Sequence, residues 1–341
     1  MKQITAYEAD FSVLGDMFFG AAASRLLMTA LEFEVFGHLE KPHTAQELAE
    51  AVQSDPGNTK MMLDALCALG LLSKQAESYV NLPLSSDFLV REKPAYVGEW
   101  LEITQESWGS CLTSMPELIK NGPGKVDPAS HMNSEEFCER FTDAHAATSL
   151  AGIGLQLAEQ ISSVPGFSRF RTMLDMGGGP GINLMAVMAE NDGLKGVLFD
   201  RPEIVRLAQG YIKEYGFEER ISVTGGDYLK DSLGSGYDLI MVTDSLYYED
   251  RELDSVLAKC RRALNPGGAL VGIHAVLTDN GTKPENMVLA MLPEGLAGQG
   301  VLPEKGFFED ALKRTGYSAI TSKTVTIGGA LMEMNTGLNQ A

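Results

Sequence analysis

Cysteine is scarce: Cys67, Cys111, Cys138 and Cys260 are the only four in 341 residues, and none forms a CxxC pair. That excludes a disulfide framework and thiolate metal clusters, and leaves reduced, mostly buried thiols. The five histidines lie at no ligand spacing from one another or from a cysteine, so no metal is expected. Basic charge is also thin, with 27 Lys and Arg against 46 Asp and Glu, a net of −19. Such a surface repels phosphate backbones and anionic membranes, which excludes nucleic acid and favours a small molecule or another protein as partner. No apolar run is read as long as the ~18 residues that span a bilayer, so no membrane segment is expected. The opening MKQITAYEAD lacks an apolar signal core and carries acids, so no export is expected and the location should be cytoplasmic. Internal repeats and low-complexity tracts are missing too.

What is present is an ordinary globular composition, 44% hydrophobic and 21% charged, in a chain long enough for two domains. Residues 1–100 read as helix-rich. Met17 to Leu39 is apolar on nearly every face, which predicts a helix buried on several sides, one of them by a second subunit. Thr44 stands three residues before Glu47, a capping-box pattern, and Gly70 closes the next predicted helix. SYVNLPLSSDFLV, residues 78–90, reads as a short hairpin or wing. Helix, turn, helix and wing is a DNA-binding pattern, but residues 1–100 hold 7 basic and 14 acidic side chains. Dimerisation or covering a substrate suits that charge better. Residues 101–165 read as a helical connector broken at NGPGKVDP, residues 121–128.

From Phe170 the texture changes. TMLDM, KGVLFD, ISVTGGD, YDLIMVTD and GALVGIHAV are expected strands, alternating with amphipathic helices. That alternation predicts a parallel sheet covered on both faces. The segment LDMGGGPGINL carries the ligand argument. A strand ends at Asp175, and Gly177, Gly179 and Gly181 follow at every second position before a helix. Glycines there permit a tight turn and close approach of backbone to a ligand. The dinucleotide pattern GxGxxG is not met, because the third glycine comes one residue early. Acid-x-Gly-x-Gly-x-Gly is instead the pattern of S-adenosylmethionine (SAM) sites. Asp200 ends the next strand, where a carboxylate can accept both ribose hydroxyls. Gly226, Asp227 and Tyr228 end the third, where Asp227 could hold the adenine amino group and Tyr228 its ring. Each of these alone could be a structural turn; together, in order, they point to SAM as cofactor.

The segments TALEFEVFGHL, HTAQELAE, LDALCALGLL, LDMGGGPG, FDRPEIV, GDYL and LAKCRRALNPGG resemble class I SAM-dependent methyltransferases of the small-molecule O-methyltransferase type, over nearly the whole chain. That group includes plant caffeate and bacterial antibiotic and carotenoid enzymes. The resemblance implies an α/β Rossmann-like methyltransferase domain over residues 166–341, preceded by a mainly helical winged-helix dimerisation domain over 1–100. It also implies a homodimer and a small, largely apolar acceptor, with Trp108, Met287 and Met291 lining its pocket by family position.

One departure is marked. O-methylating members carry His-Asp-Trp in the loop after the fourth strand, and that histidine deprotonates the substrate. Here the same positions are Leu246, Tyr247 and Tyr248. The supporting Glu of a family Glu-Arg-Thr segment is replaced by an apolar residue in GVLPEKGFF. A tetrapyrrole C-methyltransferase of the family similarly has Leu-Tyr in this loop. Tyr247 is therefore expected to orient or polarise an acceptor that needs no strong base; the plain alternative is a tyrosine pair packing the site wall. His274, at the end of the fifth strand, and His145, at a family position that contacts substrate, are candidates to replace the base. Either could equally be a structural histidine. Glu249, Asp250 and Glu252 read as the first turn of a helix, favoured by its dipole. The expected function is in-line methyl transfer to a small molecule without the usual His base. The alternative is a SAM-binding relative that is inactive, or that decarboxylates or hydroxylates instead.

Overall fold

The structure, a computed structural model, describes residues 10–123, 134–247, 250–298, 300 and 302–340. It divides into two compact units, Met1–Glu102 and Ile103–Ala341.

The first unit contains α1 (Ser12–Glu32), α2 (Val35–His38), β1 (His43–Thr44), α3 (Ala45–Ala51), α4 (Pro56–Ala68), β2 (Leu72–Gln75), β3 (Ser78–Asn81) and α5 (Pro83–Phe88). The helix expected across Met17–Leu39 breaks at Glu34, which takes a left-handed φ of 50°. The break turns Val35 and Phe36 into the core, where both are 0% exposed. At α3 the capping box forms: Thr44 Oγ1 accepts the Glu47 N–H at 3.2 Å, and Glu47 Oε2 accepts the Thr44 N–H at 2.7 Å. Gly70 ends α4 at φ 74°, as a left-handed cap requires. The wing is shorter than SYVNLPLSSDFLV implied. Only its first four residues form a strand, held between β1 and β2 in an antiparallel sheet of order β1-β3-β2. Pro83, which has no N–H for a ladder and a φ already set for helix, starts α5 instead.

α1 also corrects the expectation about apolar runs. It is long and apolar enough, by length and composition, to cross a membrane. Its first half leaves Leu14, Met17, Phe18 and Phe19 at least 65% exposed on the single chain. The expectation rested on uninterrupted apolar residues, and Asp16, Ser24, Arg25 and Thr29 interrupt the run without making a polar face.

α6 (Gly98–Asn121) carries the chain into the second unit, followed by α7 (Glu135–Thr148), a π-helical turn (Ser149–Ile153) and α8 (Gly154–Ser162). Residues 124–128 of the Gly/Pro break lie outside the described residues. The sheet then builds from β4 (Thr172–Met176), β5 (Lys195–Asp200), β6 (Ile221–Gly225), β7 (Tyr237–Thr243), β8 (Leu264–Ala275), β9 (Ser318–Ile327) and β10 (Ala330–Leu338). Its order is β6-β5-β4-β7-β8-β10-β9. The first five strands are parallel; β10 runs antiparallel between β8 and β9. α9 (Ile182–Ala189), α10 (Pro202–Glu214), α11 (Asp250–Ala263), α12 (Glu285–Leu296) and α13 (Phe307–Arg314) are the helices among them.

Central strands of a doubly covered sheet read as near-continuous apolar runs. β7 obeys, with Leu239 to Val242 all 0% exposed. One face packs Met173, Met241, Val271 and Ile273 against α8 and α9; the other packs Leu174, Ile240, Val242 and Leu270 against α11 and α13. At the starts of the strands, Asp238 accepts the Arg171 N–H at 2.7 Å and the Asn265 side-chain amide at 2.8 Å. This ties β4, β7 and β8 together at the end opposite the glycine turn.

Packing is tight enough to test. A Cβ on Gly272 would lie 2.4 Å from Cε1 of Phe308, a ring that is itself buried. Gly272→Ala should destabilise by about 1–3 kcal/mol through overpacking. Gly210→Ala on the outside of α10, where no atom lies within 4 Å, should be neutral or stabilising. Denaturant midpoints of both variants check this; equal midpoints would contradict it.

Candidate functional site

The parallel strands end on one side of the sheet, and the turn from β4 to α9 dominates that side. Between Met176 and Ile182 the chain reverses through Gly177, Gly179 and Gly181, with φ of 76°, 53° and 82°. Each of those angles is strained for a residue with a Cβ. Space adds a second constraint at two of them. A Cβ on Gly177 would meet Ser245 at 2.7 Å, and one on Gly181 would meet Leu198 at 2.9 Å. Gly179 differs, because no atom lies within 4 Å of where its Cβ would be. Its backbone faces open space, as a cradle for a closely approaching ligand must.

Two carboxylates frame this turn. Asp200, the last residue of β5, accepts the Gly179 N–H at 2.8 Å and the Arg201 N–H at 2.7 Å. Asp175 sits beneath, 2% exposed, and its Oδ2 has no partner among the described residues. Burial, with the Asp200 charge as a smaller cause, pushes its pKa up to about 8. Burial also raises that of Asp200, against the two N–H groups it accepts. Buried polar atoms are almost always paired, so an orphan carboxyl oxygen beside an open glycine turn fits a site made for a donor-bearing ligand.

The next two loops close the site. The Gly226 N–H donates to the Asp200 carbonyl at 2.9 Å. Asp227 is engaged within its own turn: it accepts the Leu229 N–H at 2.9 Å and Lys230 Nζ at 2.7 Å. Lys230 holds its carboxyl below the usual range. Tyr228 donates its hydroxyl to the Ser245 carbonyl at 2.9 Å, and Ser245 Oγ donates to the Met176 carbonyl at 3.1 Å. The loops after β6 and β7 are thereby pinned to the glycine turn.

Among the tyrosines of the β7 loop, Tyr248 lies outside the described residues, as does Glu249. Tyr247 is 39% exposed and donates its hydroxyl to Asp244 Oδ1. The same oxygen accepts the Ala275 N–H at 2.8 Å. Burial by surrounding chain and the adjacent Asp244 raise the Tyr247 pKa, so the phenol keeps its proton. Burial raises Asp244 as well. The Tyr247 ring meets that of His274 edge-on, centroids 5.6 Å apart, and His274 in turn lies 4.6 Å from Phe308. His274 is 2% exposed, neither ring nitrogen has a partner among the described residues, and burial lowers its pKa to about 3. It is a neutral ring near neutral pH. His145 meets Phe141 of its own helix α7 edge-on, 4.3 Å between centroids. Nearby chain lowers its pKa while its side chain stays open to solvent. No ring contact or hydrogen bond among the described residues links it to Tyr247 or His274.

Tyr247 and His274 therefore come together, while His145 stands apart. Met287 and Met291 pack, partly buried, against the core of the second unit. Three residues of the neighbourhood escape sequence reasoning. Asp244 was only the end of a strand, yet it anchors Tyr247. Ser245 was only a loop serine, yet it lies under Gly177. Glu333, 1% exposed, stands opposite His274 in the β8–β10 register and accepts the Gly306 N–H at 3.0 Å and the Ser322 hydroxyl at 2.9 Å. The alternation Met332-Glu333-Met334-Asn335 was the available signal, since period two turns both polar residues to one face.

Comparison with known proteins agrees over the full length. The O-methyltransferase domain profile matches residues 128–318, and the O-methyltransferase dimerisation domain profile matches residues 16–91. Rat acetylserotonin O-methyltransferase is 26% identical over 318 residues, 91% of this chain and 73% of its own. The N,N-dimethyltransferase OxyT of Streptomyces rimosus is 30% identical over 284 residues, 80% of each chain. In fold, the crystal structure of human N-acetylserotonin methyltransferase in complex with SAM gives a TM-score of 0.81 at 23% identity. It covers 99% of this chain and 100% of that one.

The buried Asp175 generates a prediction of its own. Its folded pKa of about 8 stands above the unfolded carboxylate value of about 4. Between those values the folded chain holds a proton that the unfolded chain has released, so stability falls as pH rises from about 4 to about 8. Asp175→Asn should remove much of that slope and raise stability at pH 8. Urea unfolding at pH 5 and pH 8 checks this; equal slopes for variant and parent would contradict it.

Proposed function

We propose that this chain, which belongs to the O-methyltransferase family, binds S-adenosylmethionine at the glycine turn and places a small acceptor beside the β7 loop. The observation that carries the reading is the open backbone at Gly179 between Asp200 and the unpartnered Asp175 oxygen. Gly177 and Gly181 hold the turn's shape, and Gly179 presents the backbone. Asp200 accepts the ribose hydroxyls, for which it exchanges the Gly179 N–H. Asp175 offers its oxygen to a donor on the amino-acid part of the cofactor. Gly226 fixes the loop by its bond to Asp200, Asp227 shapes the turn over the adenine, and Tyr228 lends a ring edge there. Bound, the cofactor supplies a methyl group that is already electrophilic.

The chain's task is then placement. A nucleophile held about 3–3.5 Å from the methyl, on the line of the breaking bond, gains most of the available acceleration from orientation alone. The family's usual histidine is replaced by Leu246, which is 1% exposed and packed in the core. His274 does not substitute as a strong base, since burial lowers its pKa to about 3 and leaves a neutral ring; His145, open to solvent, stands apart from it. Tyr247 orients the acceptor. Relatives are named for both O- and N-methylation, so a hydroxyl and an amine are both admissible acceptors. The exposed apolar residues of α1 support a homodimer in which a second copy covers them.

Thermal unfolding tests the reading directly. A ligand at ~1,000 times its Kd stabilises the folded state by about 4 kcal/mol. S-adenosylhomocysteine and SAM should each raise the midpoint by several degrees, and NAD should not. No shift with either sulfur ligand would contradict the proposal. Consumption of SAM without release of S-adenosylhomocysteine would favour a non-methylating member of the family.

A further inference from the structure

The direction of one proton constrains the acceptor. Tyr247 has a single hydroxyl hydrogen, and that hydrogen is directed at Asp244 Oδ1. Asp244 cannot swing away freely, because the same oxygen accepts the Ala275 N–H at 2.8 Å and the residue is held at a left-handed φ of 47°. A non-glycine residue in that conformation is strained, and such strain collects where a side chain must be aimed. The loop that bears the pair is fixed against the turn beside it: Ser245 lies under Gly177, donates to Met176, and receives Tyr228. Tyr247 nevertheless keeps 39% of its surface open.

With its proton committed to Asp244 and the Ala275 N–H also bonded to its oxygen, Tyr247 has one lone pair left to offer a ligand. It can accept a hydrogen bond there but cannot donate one. We infer that Asp244 and Tyr247 form a proton-accepting dyad, and that the acceptor atom must carry a hydrogen: an aromatic hydroxyl or amine, not a carbonyl, an ether or a bare ring nitrogen. The inference rests on the methyltransferase reading above and narrows its substrate class.

The step balances without a further reactant. As the acceptor oxygen or nitrogen forms its bond to the methyl carbon, the carbon–sulfur bond breaks and sulfur keeps the electron pair. Tyr247 takes the acceptor's proton and passes its own to Asp244, which later returns it to water. The positive charge of the sulfonium and the negative charge of the carboxylate vanish together. Asp244 acts through Tyr247 and is a positioning residue as well as the final proton store. His274, its ring edge-on to Tyr247, is a further titratable group in contact with the pair among the described residues.

The test uses the full-length protein and a panel of hydroxy- and amino-naphthalenes and quinolines, each paired with its fully methylated counterpart. S-adenosylhomocysteine formation is the readout, and the thermal shift with S-adenosylhomocysteine controls for folding and cofactor binding in every variant. Turnover should be confined to members with an O–H or N–H. Asp244→Asn keeps an oxygen for both hydrogen bonds but cannot store the proton, so kcat should fall about 10²-fold or more with KM nearly unchanged. Asp244→Ala should free the Tyr247 hydroxyl to donate outward. That variant should bind the methylated counterparts more tightly than the parent does, and Tyr247→Phe should lose the difference. An Asp244→Asn kcat within twofold of the parent overturns the dyad. Failure of every hydrogen-bearing member while S-adenosylhomocysteine still binds overturns the substrate class. Loss of S-adenosylhomocysteine binding in the parent sinks the cofactor reading instead.

Discussion

The turn between β4 and α9 is the constraint on which the rest of the site depends. Within five residues the chain leaves a buried strand and enters a buried helix, with Gly177, Gly179 and Gly181 all at positive φ. A side chain at Gly177 or Gly181 would collide with Ser245 or Leu198. The turn therefore dictates what may stand beside it: a small residue at 245 and a close β5. In return it leaves Gly179 bare and the buried Asp175 Oδ2 without a partner among the described residues. Stability alone would not select a buried, unpaired carboxyl oxygen; a ligand that completes it would.

The neighbouring loops are subordinate to this turn. The Asp200 carbonyl receives Gly226, the Tyr228 hydroxyl reaches Ser245, and Ser245 reaches Met176. These links bring the carboxyl ends of β4, β5, β6 and β7 to one side, where open parallel sheets bind their ligands. Carboxyl groups are concentrated there too. Asp175, Asp200 and Asp244 all have carboxyl pKa values raised by burial. A cluster of carboxyls in a dry setting suits a cationic ligand, which the sulfonium of the family's cofactor is.

Much of this was legible in the residues themselves. The parallel sheet followed from short apolar runs alternating with amphipathic ones, and the glycine turn with its flanking acids from one glycine pattern. The capping box at Thr44 and the stop at Gly70 were local signals that tertiary structure had no reason to override. The α1–α2 break was not legible, because Glu34 takes a left-handed φ only to turn Val35 and Phe36 inward. Nor was the role of Asp244. Its importance lies in which oxygen receives which proton, a relation between residues 244, 247 and 275 that no spacing rule encodes. Asp227 was expected to hold the adenine amino group, but only its bonds to Leu229 and Lys230 show how fully it is occupied within its own turn.

The central claim is that the glycine turn and Asp200 seat the cofactor. Calorimetric titration of S-adenosylhomocysteine into the parent protein and into Asp200→Ala tests it most directly. Hydrogen bonds to a charged group contribute about 1.5–3 kcal/mol each, so loss of a carboxylate that accepts two hydroxyls should weaken binding by about 100-fold or more. Equal affinity in parent and variant would contradict the account, and would place the cofactor elsewhere on the sheet or nowhere on it.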